Sequence, residues 1–244
     1  MSELPKLFEQ IRLRTPARLL SGRSGAAYRT ETQLQLRTAH AAARDAVRAE
    51  LDLQSHIGLK LGVRFGLFEV CSQARSKDEY LLRPDLGRRF NEQSRAEICA
   101  RCSANPDFQI VIGDGLSVTA VAAQVPFLLP VLAERAEARG WSLGQPFVVR
   151  HCRVGIMNEV GELLRPRVLV LLIGERPGLA TAESLSAYMA YEPGAKHTDA
   201  DRNLISNVHA RGVTAVEAAD RILDLAQRMS RAGRSGVGLE KLSG

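Results

Sequence analysis

Aromatic residues are scarce in this 244-residue chain: Phe, Trp and Tyr together make up 5%, with a single Trp. Stacking platforms for single-stranded nucleic acid need such rings beside basic groups, and no basic cluster here is interleaved with them. Lysine is scarcer still. Only Lys6, Lys60, Lys77, Lys196 and Lys241 occur, so 28 of the 33 basic residues are arginine. No P-loop G-x-x-x-x-G-K-[ST] is present, and none of the five histidines falls into an H-x-x-x-H pair. No apolar run approaches the roughly 18–20 residues of a membrane-spanning helix. The longest, Val168 to Ile173, has the length of a strand. The N-terminal MSELPKLFEQIRLRTPAR is polar and lacks an apolar core, so the expectation is no secretory signal, no membrane and a cytoplasmic chain.

Cysteine is also sparse, with Cys71, Cys99, Cys102 and Cys152. Cys99-Ala-Arg-Cys102 has the C-x-x-C spacing of redox and zinc sites, but a structural zinc site needs a second such pair and there is none. The plainer expectation is two reduced thiols on one helix face.

What is present is ordinary for a globular protein: 45% hydrophobic and 25% charged residues, enough for a full core. The net charge of +6 is unevenly spread. Residues 1–30 hold Lys6, Arg12, Arg14, Arg18, Arg23 and Arg29 against Glu3 and Glu9, and the remainder is nearly balanced. A basic arm lying on a partner protein accounts for this at least as well as nucleic acid does.

Hydrophobic periodicity divides the rest of the chain. Residues 31–65 form a helical segment, with a helix running towards Leu51 and a Gly-punctuated stretch over 52–65. Strands are expected at 66–71, 108–112, 146–150 and 167–173. Helices are expected at 88–102, at 118–139 with breaks or kinks at Pro126 and Pro130, at 158–164, at 182–190 and at 214–232. The last carries a stripe of Val216, Ala219, Ile222, Leu223, Ala226 and Met229, and 192–212 reads as loop. Continuous apolar strands alternating with helices specify an α/β fold with a parallel sheet over 66–244.

Ligands in such sheets bind outside the carboxyl ends of the strands. Two polar Gly-rich segments fall there, at 113–117 and 174–178. Gly113-Asp114-Gly115 opens like a dinucleotide fingerprint, but position 118 is Val118 rather than the third glycine. Gly115-Leu116-Ser117-Val118-Thr119 approaches the hydrolase elbow G-x-S-x-G with Thr119 in the last glycine's place. Ser117 is therefore either a nucleophile or, more simply, a helix N-cap. Glu175, between Gly174 and Pro177-Gly178, is either a ligand-binding carboxylate at the crevice mouth or a turn residue paired with Arg176 or a neighbouring helix end. The 198–203 loop lacks a Glu at the twelfth position from Asp199 and does not make an EF-hand.

TPARLLSGRSG, YLLRPDLGRRF, NPDFQIVIGDGLS, LLIGERPGLATAESLSAY, TDADRN and ISNVHARG occur in that order along nearly the whole chain. Together they resemble the small (light) subunit family of ethanolamine ammonia-lyase, which forms acetaldehyde and ammonia from ethanolamine by radical chemistry. The resemblance implies a Rossmann-like domain and an adenosylcobalamin cofactor (cobalt, base-on) lying between this chain and a TIM-barrel large subunit that holds the catalytic side chains. It implies a hetero-oligomer with several copies of each subunit and no activity in this chain alone. It also implies that the 1–30 arm contacts the large subunit, and that Val154, Glu175 and Leu204 contact cobalamin, with no metal ligand among this chain's side chains. Leu204 stands where the family usually has Cys, Ala39 where Asp is expected, and Asn158 where Asp is expected. No D-x-H-x-x-G is present, consistent with base-on binding. The chain begins almost at the family core, which favours free cytoplasmic enzyme over packaging in a bacterial microcompartment. The competing expectations are a stand-alone α/β hydrolase using Ser117 and a scaffold or nucleic-acid binder using the basic arm.

Overall fold

A computed structural model describes residues 6–14, 21–178 and 181–240. The 1–30 arm expected from sequence therefore lies partly outside the described residues. What is seen of it is a helix, α1 (Lys6–Leu13), and a two-stranded hairpin, β1 (Arg23–Ser24) and β2 (Ala27–Tyr28). The hairpin turns on Gly25 at φ +61, a conformation that glycine adopts without a Cβ clash.

Helices α2 (Thr30–Arg48), α3 (Leu53–His56) and α4 (Leu59–Arg64) follow. The Gly-punctuated 52–65 stretch is thus helical in two short pieces, the first capped by Asp52 accepting from the Ser55 amide. On α2 only Ala46 is buried, so the helix stands largely in solvent. Leu51 and Ile57 are 3% exposed and anchor this segment into the main core.

The remaining elements are β3 (Glu69–Cys71), α5 (Lys77–Leu82), α6 (Glu92–Arg101), β4 (Phe108–Gly113), α7 (Val118–Ala138), β5 (Phe147–Arg150), α8 (Ile156–Leu164), β6 (Val168–Gly174), β7 (Leu185–Tyr191), β8 (Asn203–Val208), α9 (Ala215–Ala232) and α10 (Val237–Glu240). The sheet runs β3-β5-β4-β6-β7-β8. Its first four strands are parallel, while β7 pairs antiparallel with β6 and β8 antiparallel with β7. The α/β class with a mostly parallel sheet flanked by helices is as expected, with an antiparallel edge added.

Alternate residues of each central strand serve opposite faces, as strand geometry requires. Ile110, Ile112, Val170 and Leu172 pack with α7 and α9, while Val111, Leu169 and Leu171 pack with Ile98 of α6 and Val160 of α8. β4 and β6 are buried throughout, which explains their unbroken apolar sequence. α7 carries Pro126 and Pro130 inside a single 21-residue helix rather than ending at either. Among the described residues it is the one helix long and apolar enough to cross a membrane, and ten of its residues are buried in this core.

The 182–190 helix does not form. Leu185, Ala187 and Met189 instead face α7 and α9 as a strand that matches β6 over seven registered pairs. The 192–212 stretch is not all loop either, since β8 lies within it. Helix α9 matches its expected span, but Val216 is 51% exposed and not part of the stripe.

Candidate functional site

The loop leaving β4 turns to α7 on one sheet face, and the loop leaving the adjacent β5 runs to α8 on the other. Diverging connections open a crevice at the carboxyl ends of the two strands. One cavity there, of about 300 Å³, is lined by Tyr80, Leu116, Arg153, Val154, Glu175 and Tyr188, among others. A larger one, of about 860 Å³, shares Arg153, Val154 and Tyr188 and extends past α8 to Asn158, His197 and Arg202.

Asp114 fixes the crevice floor. It is fully buried and accepts from the backbone amides of His151 (2.9 Å) and Cys152 (2.8 Å), with Lys77 Nζ at 3.2 Å. One carboxylate thus ties the end of β4 to the loop after β5 and to α5. Gly115 and Gly174 cross at the same point. A Cβ on either would overlap backbone, the Gly174 carbonyl oxygen in one case and the Ser117 carbonyl oxygen in the other. Only the absence of side chains lets the β4 and β6 ends lie this close.

His151 begins the β5 exit loop with φ +56, an uncommon conformation for a residue with a Cβ. Besides the Asp114 bond, its Nδ1 lies 3.0 Å from the Ala74 carbonyl and its Nε2 3.2 Å from Glu50. Tyr80 stacks on the ring at 6.0 Å and donates its hydroxyl to the Cys152 carbonyl at 2.9 Å. Burial first, then the Asp114 charge, pushes the Tyr80 phenol far up, so it stays protonated.

Glu175 follows β6 directly. Its amide donates to the Ser184 carbonyl at 3.1 Å, and its carboxylate accepts from the Ser186 hydroxyl. Ser184 Oγ lies 3.5 Å from the other carboxylate oxygen. The partners are therefore Ser186 of β7 and Ser184 just before it, rather than Arg176. Tyr188 stands beside it, its phenol pushed up by burial and then by the Glu175 carboxylate. Val154 lines the same cavity. Leu204 is 47% exposed on β8, paired in register with Tyr188 and so on the same sheet face, but it lines neither cavity. The structure thus brings Val154 and Glu175 together and sets Leu204 one strand further out.

Asn158 on α8 accepts from Arg202 Nη2 at 2.8 Å and donates Nδ2 to the His197 carbonyl at 2.8 Å. An aspartate could keep the first contact but not donate in the second. Ala39 sits on α2 beside Leu34 and Thr38, away from the crevice.

Ser117 is fully buried, accepts from the Ala120 amide at 3.2 Å and donates to the Ala182 carbonyl at 2.5 Å. It is the N-cap of α7, and among the described residues no histidine touches it. Cys99 is exposed on α6 whereas Cys102 is buried as that helix's C-cap, so the two thiols do not share a helix face. Among the described residues no group of His, Cys, Asp and Glu is arranged to hold a metal. Sequence reading missed Tyr188, which it placed on a helix, and the Arg153 and Arg202 side chains. Arg202 was visible only as part of the ADRN string.

Residues 5–240 match the family profile described as ethanolamine ammonia-lyase light chain (EutC). The chain belongs to this family. Relatives named "Ethanolamine ammonia-lyase small subunit" include one from Clostridium acetobutylicum, 40% identical over 230 residues that cover 94% of this chain and 93% of the relative. One from Clostridium perfringens is 43% identical over 231 residues, covering 95% and 76%. A third, from Clostridioides difficile, is 41% identical over 230 residues, covering 94% and 76%. As a member of the ethanolamine ammonia-lyase light-chain family, the chain is a subunit of a lyase, as the sequence motifs led us to expect. Glu175, within the LIGERPGL string, and Arg202, within ADRN, both line the crevice cavities.

Proposed function

We propose that this chain helps hold adenosylcobalamin at an interface with the large subunit of ethanolamine ammonia-lyase, and that the β4–β5–β6 crevice is its half of that site. The observation that carries the reading is the meeting of Val154, Glu175 and Tyr188 on one wall-and-rim arrangement at the strand ends. A corrin ring is apolar across its face and fringed with carboxamides. Val154, Leu116 and Ile173 supply apolar surface, and the Glu175 carboxylate, already oriented by Ser186, accepts hydrogen bonds from amide N–H groups. The buried unpartnered Nε of Arg153 marks a polar demand that this chain does not itself satisfy. The residues present fit the group.

When bound, the cofactor supplies radical initiation for the conversion of ethanolamine; the protein supplies position and shielding. In this reading Val154 packs against the macrocycle, Glu175 fixes its rotation, and Leu204 gives apolar contact at the rim. The catalytic side chains belong to the large subunit, the assembly holds several copies of each chain, and the working location is the cytoplasm or a microcompartment within it.

The test is co-expression with the cognate large subunit and an ethanolamine-dependent acetaldehyde assay with and without adenosylcobalamin. Glu175→Ala is expected to raise the apparent cofactor constant about tenfold, the loss of roughly one charge-assisted hydrogen bond, with little change in turnover at saturation. Unchanged cofactor affinity would move the site away from Glu175. A well-formed complex with no cofactor-dependent activity would overturn the function itself.

A further inference from the structure

Lysine is used sparingly in this chain, and one of the few sits where a lysine is costly. Among the described lysines only Lys77 is buried, 6% exposed on α5, while Lys6, Lys60 and Lys196 stand in solvent. Its Nζ lies 3.2 Å from Asp114 Oδ2, donates to the Gly115 carbonyl at 3.2 Å and sits 4.9 Å from the centre of the Tyr80 ring. A compact ammonium with three donors matches that set, which the planar fork of arginine does not. Asp114 is wholly enclosed. A buried ion pair of this kind is a poor stabiliser, since apolar residues of like volume commonly serve the fold as well. Neither Lys77 nor Asp114 lines either cavity.

What the pair does is close a chain of contacts between Val154 and Glu175. From Val154 the backbone runs back through Arg153 to Cys152 and His151, whose amides donate to Asp114 Oδ1 at 2.8 Å and Oδ2 at 2.9 Å. Lys77 bonds Asp114 and the Gly115 carbonyl together, which fixes the carboxylate at the β4 exit. Gly115 lies so close to the Gly174 carbonyl that a Cβ would overlap it, and that carbonyl accepts from the Leu116 amide at 3.0 Å. Glu175 is the next residue. The exit loop has two further anchors: the Tyr80 hydroxyl on the Cys152 carbonyl at 2.9 Å, and the Gly87 carbonyl on the Arg153 amide at 2.8 Å. Three successive amides are thus held from outside the loop. They keep His151 at φ +56, a strain that persists only where the surroundings over-determine it and that clusters at functional sites.

We propose that Lys77 and Asp114 are positioning residues that set the spacing of Val154 and Glu175. Their functional value rests on the cobalamin reading above, which puts both side chains against the corrinoid. Without the pair, the β5 exit loop relaxes from the strained His151 conformation and Val154 leaves its place in the cavity. Cofactor contact is then lost while the protein stays folded.

The experiment uses the complex with the large subunit and three variants: Lys77→Met, Lys77→Met with Asp114→Asn, and Tyr80→Phe. Spectral titration with cyanocobalamin gives the dissociation constant, and acetaldehyde formation at saturating adenosylcobalamin gives kcat. Thermal unfolding gives the midpoint. Peptide mapping after brief DTNB treatment without corrinoid reports whether the enclosed Cys152 has become accessible. Lys77→Met is expected to raise the dissociation constant about tenfold or more with kcat within about twofold, to open Cys152 and to lower the midpoint. The double variant leaves no unpaired charge, so it should regain most of the midpoint. Its affinity should stay low and its Cys152 open, because an asparagine oxygen cannot replace both carboxylate oxygens. Affinity that returns together with the midpoint would make the pair a stabiliser only and overturn the proposal, as would native affinity in a folded Lys77→Met complex. If neither Lys77 variant assembles, Tyr80→Phe decides, since it removes one loop anchor without burying a charge. A loss of about threefold in affinity with Cys152 opened supports the positioning; native affinity with Cys152 closed overturns it. If the wild-type complex binds no corrinoid, the cobalamin reading fails by itself. Cys152 opening in the double variant at a recovered midpoint then still upholds the pair as the holder of the loop, and Cys152 that stays closed removes that role too.

Discussion

Thiol chemistry in this protein is decided residue by residue, by burial rather than by spacing. Cys99 is exposed on α6. Cys71 is half-buried and pushed up by burial first, with Arg150 opposing and Glu69 reinforcing the shift. Burial pushes Cys102 up to about 11, and it pushes the wholly enclosed Cys152 well above the ordinary 9.0. Since the thiolate is the nucleophile, both factors act in the same direction. In the native chain at pH 8, a disulfide reagent such as DTNB is expected to label Cys99 in a fast phase and Cys71 more slowly. Cys102 and Cys152 should react only on denaturation. Cys99→Ser should remove the fast phase, and peptide mapping identifies the sites. Rapid native labelling of Cys152 would contradict the enclosed loop after β5. At this scale the C-x-x-C string was misleading because spacing says nothing of where a helix stops. Cys102 falls one residue past the end, at φ −108 and ψ 133. Glu175 was legible as a strand-end residue because the apolar run of β6 marks where that strand stops, whereas Val154 entered only through the family resemblance.

Between elements, the tightest constraint is the crossing of the β4 and β6 exits. Gly174 has no positive φ, so its requirement is space alone: a Cβ would overlap the Ser117 carbonyl oxygen, a backbone atom that cannot rotate away. Gly174→Ala is expected to force the two exits apart, costing about 2 kcal/mol or more by analogy with overpacked cores. It should also weaken cofactor affinity, because Glu175 moves with the strand end. Urea unfolding and corrinoid titration of the complex measure the two effects; a fully stable variant with native affinity would show the approach to be loose. The parallel core was legible in the sequence because β4 and β6 are buried on both faces. β7 was not. Its Ala, Met, Ser and Leu residues include strong helix formers, and only pairing with β6 along seven positions overrides that local preference. With β7 misplaced, Tyr188 and the serines that orient Glu175 could not be foreseen beside it.

Over the whole molecule, the helical segment and the sheet are joined by apolar anchors and, among other polar contacts, by a charged clasp at Glu50. Leu51 and Ile57 enter the core, and between α2 and α3 Glu50 reaches across to Arg150 at 2.9 Å and to His151 Nε2 at 3.2 Å. Burial raises the Glu50 carboxyl, but hydrogen bonds and charge from Arg150 and His151 outweigh it and hold the group below its ordinary 4.5. A depressed carboxylate contributes stability that is fully present above the unfolded value and is lost as pH falls through the folded one. The clasp should therefore act at neutral pH and fade below pH 4.5. Because the Glu50 side chain is 45% exposed, solvent screening limits it to under about 1 kcal/mol. Glu50→Gln is expected to be less stable than the wild type by that amount at pH 6, with the gap closing towards pH 3. Asp52, Asp107 and Asp201 are also held below their ordinary 3.8, but they titrate alike in both proteins and cancel in the difference. Urea titrations at half-unit pH steps give the comparison. A gap that persists unchanged to pH 3 would mean that the Glu50 side chain holds the segment by packing and hydrogen bonding, with its charge contributing nothing.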